Sequence, residues 1–291
     1  MTAAVAAAVA SAAAPPAAIR VDGIARRFGD QDVLAALSLA VGRSEIVSLV
    51  GPSGCGKSTL LRLIAGLERG DAGRIEVDGR PVTGPDPAIG FMFQEPRLLP
   101  WLTVRDNIVL GLSRAARRTA DARVAELLAQ VQLDGAARRW PRQLSGGMAQ
   151  RVALARCLAV EPRVMLLDEP FSAVDALTRM ALQDLLLAIW ERTQLTMLLV
   201  THDLDEALYL SDRVVVLRGP PAQLTDAIAI ALPRPRDRRA PELARRRGEL
   251  LEALHLTGSD TGAAPELAAQ GSPALRAQAG RSAQTRARSQ L

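Results

Sequence analysis

The chain has 291 residues, 48% hydrophobic but only 3% aromatic, which allows one substantial domain with tails, or two small ones, around an aliphatic core. Its net charge of +5 comes from the region after residue 230, where 11 Arg face 6 acidic residues; residues 1–230 balance at 25 basic and 25 acidic, which argues against a nucleic-acid footprint on the main domain. Two cysteines, Cys55 and Cys157, make neither a disulfide framework nor a metal cluster and fit a reducing cytosol, and the apolar runs at 164–167 and 195–200 are strand-length, far below the ~20 residues that span a bilayer.

Residues 1–18 are mostly alanine and lack a basic start, so they read as a disordered tail and not as a leader peptide. Residues 19–28 alternate as a strand, Gly29-Asp30 is a turn, and 33–41 is the antiparallel partner. Residues 45–50 form a short apolar strand that runs into Gly51-Pro52-Ser53-Gly54-Cys55-Gly56-Lys57-Ser58-Thr59. The helix after it, 57–66, carries Leu60, Leu61, Leu63 and Ile64 on one face and ends at Gly66. Residues 74–77 with Asp78-Gly79 are strand and turn, and 89–93 is a strand. Three helices follow, at 104–112, 120–131 and 146–159. Residues 163–167 are a buried strand ending in Asp168-Glu169. Then come a helix at 175–192, a strand at 196–200 ending in Thr201-His202-Asp203, a helix at 204–210 and strands at 213–217 and 227–231. Residues 233–239 read as a linker, 241–256 as a helix, and 258–291 as a disordered tail.

Strands alternating with helices predict a mainly parallel α/β sheet, whose ligands bind beyond the carboxyl ends of the strands. The loop at Gly51, the acid pair Asp168-Glu169 and His202 all follow strand ends, so they are expected at one edge. Lys57 is the only lysine among 36 basic residues. It sits in a G-x-x-x-x-G-K-[ST] loop between strand and helix, the context in which backbone amides cradle phosphates. A compact ammonium fits between phosphate oxygens in a way that a planar guanidinium does not. Lys57 is expected on the β and γ phosphates, Ser58 on Mg²⁺, and Asp168 in the same metal shell. Glu169, one residue on, points elsewhere and suits orienting or deprotonating a water. Gln143-Leu144-Ser145-Gly146-Gly147-Met148 opens a second helix with an N-terminus stripped of bulk, another anion site.

With these three pieces in order, the chain resembles the ATP-binding subunit of an ABC transporter over residues 19–232. The resemblance implies a P-loop NTPase (RecA-like) core with an antiparallel β subdomain and an α-helical subdomain at about 96–160. It implies that Phe28 stacks on adenine, that Gln94 touches Mg²⁺ and couples to the membrane subunit, that Asp175 lies in the loop crossing a dimer interface, and that His202 contacts the γ-phosphate. It further implies a head-to-tail homodimer in which Ser145, Gly146 and Gly147 of one copy close on ATP held by Lys57 of the other. Met148 departs from the family's usual glutamine and has no assigned contact.

Only 86 residues separate Ser58 from Ser145, too few for the coiled coil of repair ATPases, and one motif set argues against the two-cassette translation factors. The stretch from Gln94 to Val104, with Leu98-Leu99-Pro100-Trp101, is similar to the nitrate, sulfonate and taurine importer branch. Leu232-Pro233-Arg234-Pro235-Arg236-Asp237 points the same way, most of all toward the aliphatic sulfonate subunit. The expectation is a catalytic ATPase subunit acting through Lys57, Glu169 and His202. Its partners would be two membrane permease subunits and, indirectly, a substrate-binding protein, on the cytoplasmic face of the inner membrane. Nitrate, taurine or another small anion stay open as cargo. A soluble ATPase acting on nucleic acid or the ribosome is the reading from another class.

Overall fold

The computed structural model describes residues 17–255; the tails expected at 1–18 and 258–291 lie outside the described residues, apart from residues 17 and 18. Two sheets form the body. The larger has the order β10-β9-β3-β8-β7-β6, with β3 (Ile46–Val50), β6 (Ile89–Met92), β7 (Val164–Asp168), β8 (Thr196–Val200) and β9 (Arg213–Arg218) parallel to their neighbours. Only β10 (Gln223–Ala229) runs antiparallel at the edge, and it starts four residues earlier than the sequence pattern suggests. The smaller sheet is antiparallel, in the order β2 (Gln31–Gly42), β1 (Ala17–Phe28), β4 (Ala72–Val77), β5 (Arg80–Pro81). The two-residue strand β5 is too short to leave a periodic signal.

The central strands β3, β7 and β8 are buried along their whole length and nearly all apolar because both faces are covered. Successive side chains of β7 face opposite ways: Val164 and Leu166 pack with the small sheet and α1 (Lys57–Ile64), while Met165 and Leu167 pack with the helical layer. That layer holds α2 (Val104–Val109), α3 (Ala120–Gln130) and α4 (Gly146–Ala159). Helix α5 (Ala176–Thr193) packs under the same face. Helix α2 stops short of the expected residue 112. Gly111 and Leu112 bond three residues back, to Ile108 and Val109, which tightens the final turn out of α geometry.

Helices α6 (Leu204–Leu210) and α7 (Pro241–His255) build a third cluster around Leu208, Val214, Val216 and Leu250. The 233–239 segment, expected as a linker, is laid against the body by alternate arginines. Arg234 stacks on Trp190 and pairs with Asp212 at 2.7 Å. Arg236 is buried and donates to the carbonyls of Leu208, Tyr209, Ser211, Ile230 and Leu232. Arg238 lies over Tyr209 and bonds Gln183 and Asp184. A Pro-Arg repeat read by composition gives no hint of this, because each arginine has partners more than 20 residues back in the chain.

Candidate functional site

Strand order builds the site. Along the carboxyl edge β3, β8, β7 and β6 are consecutive, so the glycine-rich loop, His202, Asp168-Glu169 and Gln94 line up across four strands, spaced ~5 Å apart. Gly54 and Gly56 hold φ of 79° and 97°, values open to glycine, and a Cβ on Gly56 would come within 2.9 Å of Leu34. The loop therefore turns tightly enough to start α1 at Lys57. Lys57 is 5% exposed, and its Nζ donates to the carbonyls of Gly51 at 2.8 Å and Pro52 at 2.7 Å. The single lysine is thus aimed back across its own loop.

Ser58 Oγ donates to Asp168 Oδ1 at 2.8 Å, joining the first turn of α1 to the end of β7. Burial pushes the Asp168 carboxyl above its ordinary range, and this hydrogen bond opposes the shift. Glu169 diverges because its backbone leaves the strand: φ is +46°, and its N–H donates to Val200 O at 2.9 Å. Ser172 returns two bonds to the Glu169 carbonyl, from its N–H and from its Oγ. The Glu169 carboxylate then meets His202 Nδ1 at 3.1 Å and Gln94 Nε2 at 3.5 Å. Two adjacent acids therefore face two different sets of partners.

The remaining expected residues do not join these two hydrogen-bonded sets. Ser145 caps α4, accepting from Met148 N. Gly146 lies beside Ala173 and Val174, and a Cβ on Gly147 would sit 2.4 Å from Thr178. Asp175 caps α5 by accepting from Thr178 N at 3.0 Å; a hydrogen bond with the Thr178 side chain, reinforced by this backbone bond, holds its carboxyl below the usual range. The glycine-opened helix end and the 173–178 segment are thus one surface. Phe28 is 45% exposed at the end of β1, with the Arg26 guanidinium 4.4 Å over its ring.

Several residues that the sequence pattern left unassigned hold this edge together. Gln150 and Arg156, both on α4, donate to the main chain of 94–97. Arg179 of α5 pairs with Asp203 at 3.0 Å, tying the helix after Asp175 to the residue after His202. Asn107 fixes 99–103: its Oδ1 accepts from Leu99 N, and its amide donates to Leu99, Leu102 and Thr103 carbonyls. That loop displays Trp101, 67% exposed. A buried glutamine or asparagine, or a half-buried arginine, within a largely apolar helix was the available signal.

No helix among the described residues is long and apolar enough to cross a membrane. Residues 34–172 match the family model described as ABC transporter. The chain is 58% identical over 236 residues to the aliphatic sulfonates import ATP-binding protein SsuB 1 of Xanthomonas axonopodis pv. citri, covering 79% of this chain and 93% of that one. It is 47% identical to SsuB of Bacillus licheniformis, with 77% and 88% covered. Among solved structures, a dimeric, post-hydrolysis state of the ATP-binding cassette MJ0796 bound to ADP and Pi matches with TM-score 0.63 at 30% identity, over 74% of this chain and 99% of that one.

Proposed function

The chain belongs to the ABC transporter family of ATP-binding proteins, and on that premise we propose that it is the ATP-hydrolysing subunit of an importer for aliphatic sulfonates. The observation that carries the cargo is the 58% identity spanning 93% of a sulfonate import relative. Two copies close head to tail on two ATP molecules, each site combining Lys57 of one copy with Ser145, Gly146 and Gly147 of the other. The dimeric cassette relative supports that arrangement. So does the separation of the two phosphate-directed helix ends within one chain.

In each site Phe28 stacks on the adenine. The N–H groups of Ser53 to Thr59 and the Lys57 ammonium hold the phosphates and stabilise charge on the transferring phosphoryl group. Ser58, Asp168 and Gln94 offer only oxygen and amide donors, which suits Mg²⁺. When bound, Mg²⁺ neutralises phosphate charge. Glu169 orients and deprotonates the attacking water, while His202 positions Glu169 and reaches the γ-phosphate. Asp175 faces its counterpart segment across the dimer. Trp101 and its loop dock on one of two permease subunits at the cytoplasmic face of the membrane, and a substrate-binding protein delivers the sulfonate. The exposed aromatic, held by the buried Asn107, supports this docking role.

The test is genetic. Deleting the gene in its host should abolish growth on an alkanesulfonate as sole sulfur source. Wild type should restore growth and Lys57→Ala should not, with sulfate-grown cells unaffected. Growth of the deletion strain on alkanesulfonate, with failure on taurine or nitrate instead, would reassign the cargo.

A further inference from the structure

We propose that Gln150 and Arg156 are positioning residues that lock α4 to the 94–97 segment, so that displacement of α4 by the partner's nucleotide is delivered to Gln94 and Glu169 of the same chain. This rests on the reading of Ser145–Gly147 as closing on the partner's ATP. Gln150 is 1% exposed, and its Nε2 donates to the main-chain carbonyl of Gln94 at 2.8 Å. Only the nitrogen end of that amide can serve a carbonyl, so the orientation is fixed by chemistry. Arg156 places NH1 on Arg97 O and NH2 on Pro96 O, both at 2.8 Å. Burial draws its guanidinium below the usual range, and both of these hydrogen bonds go to main-chain carbonyls.

Three charge- or amide-borne bonds from one helix therefore seize the main chain at Gln94, Pro96 and Arg97. Two side chains that hold carbonyls cannot recognise sequence there; they can only transmit position. The path is short at both ends. Gln150 lies five residues, roughly 7 Å of helix rise, from Ser145. Gln94 Nε2 lies 3.5 Å from the Glu169 carboxylate that His202 also meets. Arg97 itself has φ +46° and stacks on Phe93, so the held segment is a fixed bend with little freedom of its own. A rigid helix joined to a fixed bend moves with it as one body. Binding at the trans phosphate contact thus sets the cis water-activating group.

The experiment is ATP hydrolysis by the assembled transporter carrying Arg156→Met, Arg156→Lys or Gln150→Leu, with KM, kcat, the ATP cooperativity and the melting temperature measured together. Misplacing a catalytic group by about 1 Å costs on the order of 100-fold, so kcat should fall about 10- to 100-fold in Arg156→Met and Gln150→Leu. KM for ATP and the melting temperature should stay near wild type, cooperativity between the two sites should be lost, and Arg156→Lys, able to hold one carbonyl, should recover part of kcat. Wild-type kcat and cooperativity in both variants overturn the proposal. So does a parallel loss of kcat, ATP affinity and stability, which would make the bonds merely structural. If the wild-type complex itself hydrolyses no ATP, the reading of the site falls and the clamp falls with it.

Discussion

Glu169 occupies a backbone conformation that a side chain with a Cβ adopts at a cost, φ +46°, and the reward is a carboxylate turned out of the strand toward His202 and Gln94. Its replacement by Gln keeps the shape and removes the proposed base, so hydrolysis should fall by at least about 100-fold while ATP binding persists, read as single-turnover rate against nucleotide affinity. Lys57→Arg should weaken nucleotide binding about 10-fold or more by equilibrium titration; unchanged affinity would contradict the fit assigned to a compact ammonium. Glu206 gives a pH signature of its own. Burial raises its carboxyl from the ordinary 4.5 to about 7, with Asp203 adding and Thr201, Gln183 and Arg179 opposing. A raised folded pKa means that its contribution to stability is full below about pH 4.5 and is lost as pH rises through about 7. Relative to Glu206→Gln, wild type should therefore lose on the order of 3 kcal/mol between those limits, measured by denaturant unfolding at stepped pH. Lys57, Ser58 and Asp168 were legible in the chain because local pattern defines them. Gln150, Arg156 and Arg179 were not, because their roles exist only where distant segments meet.

Elements place these residues by order more than by length. The sequence pattern finds the central strands and α1, α3, α4 and α5 within a residue or two because each is apolar on the period its environment demands. It cannot give the order β3-β8-β7-β6, which puts His202 between the phosphate loop and the acid pair. Edge features were least legible: β5 is two residues long, and β10 has little apolar alternation. The α4–α5 contact is an element-scale constraint. Gly147→Ala would drive a Cβ to 2.4 Å from the Thr178 methyl, so either Thr178 must leave its rotamer or α4 must shift from α5. Stability should drop by about 1–3 kcal/mol and closure on ATP should weaken, checked by melting and by ATP-dependent dimerisation. Asn107→Leu should release 99–103 at a cost of about 2–3 kcal/mol and reduce permease assembly, while hydrolysis by the isolated subunit stays near wild type.

At the scale of the whole molecule, the described chain presents a glycine-rich loop around Lys57 and a glycine-opened helix end at Ser145, and on the proposed reading neither completes a site alone. The arginine strap at 234–238 extends the body through α7, with Arg236 satisfying five carbonyls around the end of α6, so that region is part of the fold. On the proposed reading, two copies share each ATP. The most direct measurement is sedimentation of Glu169→Gln with and without ATP, beside Glu169→Gln/Ser145→Arg. Shared sites should give an ATP-dependent doubling of mass in the first and a monomer in the second, with Lys57 intact in both. A first variant that stays monomeric with ATP bound, or a second that dimerises equally well, would contradict it.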